Sequence, residues 1–219
     1  MDIKVDHNTI LVFDLDDTLY NELDYLKSAY RSIASYLETD NWKPLYAKMI
    51  SLYRSQINVF DKLSEQYNVD SDILLEMYRN HEPSITLFDG ALDLLKAIKS
   101  KNGKIGIISD GRSKTQRAKL KSLGVLDYAD SIVISEEIGS EKPSLDNFKS
   151  IEKVLPGIHY YYVADNLKKD FIAPKILGWK SIALIDNGLN IHMDYYLYFD
   201  FEKNKPDKYI LSMNEIQIK

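Results

Sequence analysis

The sequence predicts an α/β protein, a parallel β-sheet covered by helices, with a helical segment inserted after the first strand. Three observations lead there. Short apolar runs recur at 104–111 ("KIGIISDG"), 130–139 ("DSIVISEEIG"), 159–166 ("HYYYVADN") and 180–188 ("KSIALIDNG"), the pattern of strands buried on both faces. Amphipathic stretches separate them, "GALDLLKAIKSKNG", "TQRAKLKSLG" and "SLDNFKSIEKVLPG", with apolar residues at helical spacing and Gly or Pro near the ends. Residues 20–87 show helical periodicity but no convincing strand.

In chain order, "ILVFDLDDTLY" at 10–20 opens as a strand built to be buried, then sets Asp14, Asp16 and Asp17 within four positions. With the four later runs it gives at least five strands. The insertion reads as three amphipathic helices, "LDYLKSAYRSIASYLE", "PLYAKMISLYRSQINVFDKLSEQY" and "SDILLEMYRNH". Pro83 and "LFDG" mark the return to the sheet,. The expected division is therefore 1–19 with 88–219 as the core and 20–87 as the insertion. The aromatic run "YYLYFDF" at 195–201 predicts an edge strand or packed tail, with an exposed subunit contact as the alternative,.

A chain of 219 residues, 45% hydrophobic and 28% charged, has the composition of an ordinary globular protein with a full core,. No cysteine is present, which excludes a disulfide framework, a thiolate nucleophile and a cysteine zinc site,. The opening "MDIKVDHNTILVFDLDD" is too charged for a signal peptide or membrane span, so the expected location is cytoplasmic,. A formal net charge of -5 disfavours nucleic acid as a partner,. The basic stretch "RSKTQRAKLKSLG" at 112–124 is expected to be mostly a solvated helix face,. His7, His81, His159 and His192 share no metal-site spacing.

The distinctive polar residues fall just after the apolar runs, at the strands' carboxyl ends, where ligands bind in open α/β sheets. Asp14 and Asp16 follow the first run, Ser109 and Asp110 the second, and Asp165, Asn166 and Asp170 the "YYYVA" run, while Lys142 lies in the loop "GSEKPS". Crowded carboxylates at a buried strand end repel one another and lose hydration, so they need a compensating cation or lysine. Oxygen ligands with one hydroxyl and one lysine suit Mg²⁺-assisted phosphoryl transfer. Taken singly, each residue has a plain structural alternative: Ser109 as a helix cap, the aspartates as an Asx turn, Lys142 as a surface loop residue.

These same residues carry a resemblance to the haloacid dehalogenase superfamily. "DLDDTL" at 14–19 resembles its DxDx[TV] signature, and Ser109 in "IISDG", Lys142 in "EKP" and Asp165 in "VADNLKKD" resemble its other three motifs in the expected order. The resemblance spans the chain, with the insertion in the position of the family's helical cap over a Rossmann-like core. It implies Asp14 as nucleophile, forming an aspartyl-phosphate, and Asp16 as acid and base. It further implies Mg²⁺ held by Asp14, the Asp16 backbone carbonyl and Asp165, with Asn166 and Asp170 in support, and phosphoryl oxygens held by Ser109, Asp110 and Lys142.

Asp16 favours phosphate over halide chemistry, since halide leaves without a proton. A phosphatase acting on a small phosphate ester is the first choice. A phosphosugar mutase or a non-catalytic protein that binds phosphorylated metabolites is the alternative, and monomer or homodimer stays undecided. The cap should select the substrate, with Tyr20, Asn21, Arg31, Arg54 and Arg79 as contributors,.

Overall fold

The computed structural model describes residues 1–192 and 194–219. In chain order the elements are β1 (Asp2–Ile3), β2 (Thr9–Phe13), α1 (Glu22–Leu37), α2 (Trp42–Arg54), α3 (Val59–Tyr67), α4 (Ser71–Asn80), α5 (Ala91–Ser100), β3 (Lys104–Ser109), α6 (Ser113–Ser122) and β4 (Ser131–Ile134). There follow α7 (Ser135–Ile138), α8 (Leu145–Val154), β5 (His159–Ala164), α9 (Ile172–Leu177), β6 (Lys180–Leu184), β7 (Lys208–Ile210) and β8 (Gln217–Ile218). They form two compact units, Met1–Glu22 with Thr86–Lys219, and Leu23–Ile85.

The first unit is built on a six-stranded sheet of order β4-β3-β2-β5-β6-β7, with each neighbouring pair parallel. Every residue of β2 is buried, because it is central and helices cover both faces. Phe13 is in register with Ile107 on β3 and Val163 on β5, so Asp14, Ser109 and Asp165 leave the sheet along one edge. On one face Ile10, Val12, Ile151, Phe148 and Tyr162 form a continuous apolar cluster. Phe148 meets Tyr162 and Trp179 edge-on, with ring centroids 5.0 and 5.4 Å away. Gly106 suits this close packing, since a Cβ would meet Ile151 Cδ1 at 3.1 Å and Val12 Cγ2 at 3.2 Å and those side chains would have to shift. The two short strands β1 and β8 pair separately, also in parallel.

The second unit is helical. Its core gathers Leu26, Ile33, Met49, Leu63 and Leu74, lined by Tyr30 edge-on to Tyr53 and Phe60. The stretch 44–67, read from sequence as one helix, is two. The chain breaks at Ser55–Asn58, where Gln56 takes φ 56° and the Asn58 side chain accepts from the N–H groups of Phe60 and Asp61. An N-cap outweighs continuous periodicity at that point. His81 is structural, joining Tyr78 O and Ser28 Oγ at 2.8 and 3.1 Å.

The aromatic run 195–201 is not a strand. A 3₁₀ turn covers Asp194–Tyr198, and the sheet edge is taken by β7 instead. The run lacks the period-two alternation of a one-sided strand, and the turn lets Tyr195 point inward while Tyr196 and Phe199 stay exposed,. Among the described residues no helix is long and apolar enough to cross a membrane.

Phe148→Ala removes a ring that packs against β5 beneath the site and is expected to cost about 3–5 kcal/mol. Denaturant titration checks this; a cost below about 1 kcal/mol would show that the cluster recloses around the gap.

Candidate active site

The site begins with the turn that follows β2. Asp14 stays tied to the sheet, its N–H donating to Val163 O at 3.0 Å. Leu15 O then accepts from the N–H groups of Thr18 and Leu19, and Asp17 adopts φ 55°, a left-handed conformation that Asp tolerates,. This tight reversal sends the three aspartates in three directions.

Asp14 turns to Lys142. The Lys142 Nζ lies 2.7 Å from Asp14 Oδ1 and 2.8 Å from Asp170 Oδ1, and all three side chains are buried. It also donates to Tyr162 OH at 3.3 Å, and that hydroxyl donates to Asp170. The other Asp170 oxygen accepts from the Asn166 N–H at 3.0 Å. Burial pushes the Asp14 carboxyl up to about 7 even against the pull of Lys142. Burial alone would lower the Lys142 ammonium, but Asp14 and Asp170 outweigh it and hold it charged, well above its ordinary value.

Asp165 is gripped from the other side. Its Oδ2 accepts from Tyr195 OH at 2.6 Å and Asn190 Nδ2 at 2.9 Å, while Oδ1 has a longer contact with Thr18 Oγ1 at 3.3 Å. Burial, then the charges of Asp170 and Asp14, raise its pKa well above the carboxylate range.

Asp16 belongs to a separate network. Its Oδ1 accepts from Lys119 Nζ at 2.7 Å and from Tyr20 OH, and its Oδ2 from Gln116 Nε2 at 2.7 Å. The same Gln116 amide reaches Ser109 Oγ at 2.6 Å. Burial raises Asp16, but Lys119 and the three hydrogen bonds prevail and hold its carboxyl below the usual value. The basic helix is mostly solvated as expected, with Lys114, Arg117 and Lys121 exposed, but Lys119 departs from it and is 3% exposed.

Of the residues predicted at the phosphoryl group, Ser109 and Lys142 are buried at the sheet edge. The Asp110 carboxylate accepts from the Lys142 N–H at 3.0 Å and from Lys169 Nζ at 2.6 Å. Its side chain thus braces the Lys142 loop. Of the predicted cap contributors, Tyr20 is buried against Asp16, and Asn21 accepts from Asn187 at 2.9 Å. Arg31 stacks over Trp42 at 5.2 Å, Arg54 is exposed, and Arg79 pairs with Glu76.

Sequence reasoning missed Lys119, Gln116, Tyr195, Asn190 and Glu22. A signal for the first two exists, because positions 116, 119 and 120 share one helix face, and a buried Lys on an otherwise apolar stripe needs a partner. Glu22 lies 3.8 Å from Lys119, and burial followed by the Asp16 charge pushes it up to about 8. Asp17 accepts from the N–H groups of Glu22 and Ile191.

Asp14, Asp165 and Asp170 each offer an oxygen within 4.8 Å of the others. Three buried carboxylates facing one fully buried ammonium either retain protons or take up a cation. An all-oxygen donor set with Asp165 Oδ2 already occupied, leaving Oδ1 the freer oxygen, fits a small hard divalent ion.

Without such an ion the raised carboxyls tie stability to pH. Asp14 goes from 3.8 to about 7, Asp17 from 3.8 to about 6, and Glu22 from 4.5 to about 8. Between those limits the folded state keeps protons that the unfolded chain has released, so stability falls as pH rises through the window. Each fully buried group contributes about 1.4 kcal/mol per pH unit. In chelating buffer the melting temperature is expected to climb as pH is lowered from about 8 to about 6; a fall over that range would contradict these assignments.

The chain is 32% identical over 217 residues to the pyrophosphatase PpaX of Bacillus pumilus, covering 95% of this chain and 94% of that protein. It is 34% identical over 149 residues to the pyrimidine 5'-nucleotidase YjjG of Escherichia coli, covering 61% of this chain and 65% of that enzyme, just under two thirds of its length. In fold it is similar to the HAD-hydrolase YfnB of Bacillus subtilis, solved bound to magnesium, with a TM-score of 0.68 at 20% identity over 95% of this chain and 96% of that one. The family model of the haloacid dehalogenase-like hydrolases matches residues 11–184, and the chain belongs to that family.

Proposed function

We propose that this protein is a Mg²⁺-dependent phosphatase that hydrolyses a small phosphate monoester through an aspartyl-phosphate on Asp14. The observation that carries the reading is Lys142 Nζ set between Asp14 and Asp170 at 2.7 and 2.8 Å, an ammonium shared by a candidate nucleophile and its acidic neighbour. Relatives named as a pyrophosphatase and a nucleotidase support phosphate chemistry. The helical unit Leu23–Ile85 is assigned the part of a substrate-selecting cap.

An Asp14 oxygen attacks phosphorus, forming the acyl phosphate bond as the ester P–O bond breaks. Asp14 must react as its carboxylate, the form that Lys142 favours. Lys142 and Ser109 meet the non-bridging oxygens, where charge must be held through the transfer. The leaving oxygen takes a proton from Asp16, which then accepts one from the water that attacks the aspartyl-phosphate and releases phosphate. Lys119, Tyr20 and Gln116 keep Asp16 ionised at rest, and the negative charge of an arriving phosphate ester opposes that effect and favours the protonated acid. Asp14, Asp165 and the Asp16 backbone carbonyl are assigned to Mg²⁺, which supplies further neutralisation of phosphoryl charge when bound.

Phosphate release from a panel of small phosphomonoesters, with Mg²⁺ and with chelator, tests the reading. Asp14→Asn is expected to abolish release while melting no lower than the parent, since it removes a buried charge; retained turnover would refute the nucleophile assignment. Lys142→Ala is expected to lose about 10²–10³-fold in kcat.

Tyr195→Phe deletes only the hydroxyl that orients Asp165. It is expected to weaken Mg²⁺ binding, measured by calorimetry, by about 10–100-fold; an unchanged Kd would remove Tyr195 from the metal site.

A further inference from the structure

Beside the reaction centre, within the same unit, lies a cavity of about 400 Å³ that the proposed chemistry leaves unused. Its lining includes Lys142, Asn166, Lys168, Lys169 and His192, with Asp194 as the acidic exception. Two of the lysines are engaged, Lys142 by Asp14 and Asp170 and Lys169 by Asp110. Lys168 differs. Its N–H donates to Asn166 Oδ1 at 3.0 Å, which fixes the turn after β5. Among the described residues no carboxylate forms an ion pair with its exposed ammonium. Lys168 and Lys169 both act on His192, adding to burial in holding the imidazole below its ordinary pKa against the opposing charges of Asp16 and Asp170, and with Lys142 they bring three lysines to one cavity lining.

We propose that this cavity receives a second anionic group of the substrate, a carboxylate or phosphate on the portion that leaves. The substrate class is then a small phosphate ester carrying a further negative charge. Lys142 is common to both places: its Nζ is 2.7 Å from Asp14 and its side chain lines the cavity. A molecule whose reacting phosphoryl group rests on Lys142 can therefore place a second anion toward Lys168 and His192. The volume is of the order that small-ligand sites require, and charge-assisted hydrogen bonds to the second group supply the discrimination. This inference rests on the phosphatase reading for the word substrate, but binding alone can test the cavity.

The test is titration calorimetry at fixed free Mg²⁺ with ethylphosphonate, phosphonoacetate and methylenediphosphonate. The parent protein is compared with the double variant Lys168→Ala, His192→Gln, and p-nitrophenyl phosphate turnover is followed alongside. The parent is expected to bind at least one of the two doubly anionic probes about 10-fold or more tighter than ethylphosphonate. The variant is expected to lose that preference while keeping ethylphosphonate affinity and p-nitrophenyl phosphate turnover. Equal affinity for all three probes in the parent, or a preference that survives in the variant, would overturn the cavity assignment. Preference without any turnover would instead overturn the phosphatase reading and leave the anion cavity standing.

Discussion

The site depends on one buried ion pair, or more accurately one buried ammonium with two carboxylates. Removing Lys142 from water is costly, and its attraction to Asp14 and Asp170 compensates only because the geometry is close and the remaining lone pairs and protons are occupied. Tyr162 OH and the Asn166 N–H complete that shell. The arrangement still leaves negative charge in excess, because Asp165 lies in the same cluster. Excess charge in a dry place raises pKa values, and here it raises those of Asp14 and Asp165 together. The proposed nucleophile and the proposed metal ligand Asp165 thus share one imbalance of charge.

The parallel sheet is what allows so few residues to meet. β2 lies between β3 and β5, so residues far apart in sequence emerge side by side at one edge. Asp14, Ser109 and Asp165 are spaced by register, while Lys142 arrives on a loop braced by the Asp110 carboxylate. The edge also separates two networks. Asp14 is governed by Lys142, and Asp16, two residues on, by Lys119. Burial pushes Asp14 up in spite of Lys142, while Lys119 and three hydrogen bonds hold Asp16 down, so the proposed reaction needs a bound cation to favour the Asp14 carboxylate and an arriving phosphate to favour protonated Asp16.

Much of this was legible in the sequence because the signals are local. Apolar runs ending in Asp14, Ser109 and Asp165 announce both strand and site, and a single lysine in "EKP" completes the set. The undetected parts depend on tertiary placement. Lys119 is one cation among several on its helix, and only its position on the buried stripe with Gln116 and Leu120 distinguishes it. Tyr195 lies in an aromatic stretch whose composition suits a strand, and its function comes from a turn that places one hydroxyl on Asp165. The break between α2 and α3 follows from a local cap at Asn58, a feature that periodicity alone passes over.

The central claim is that Asp14 carries the phosphoryl group. The most direct measurement is mass spectrometry of peptides from protein quenched in acid within milliseconds of mixing with a turned-over phosphate ester and Mg²⁺. The account predicts a phosphorylated peptide containing Asp14, labile to hydroxylamine and missing in Asp14→Asn. Steady release of phosphate with no modified Asp14, or with the label on another residue, would contradict it.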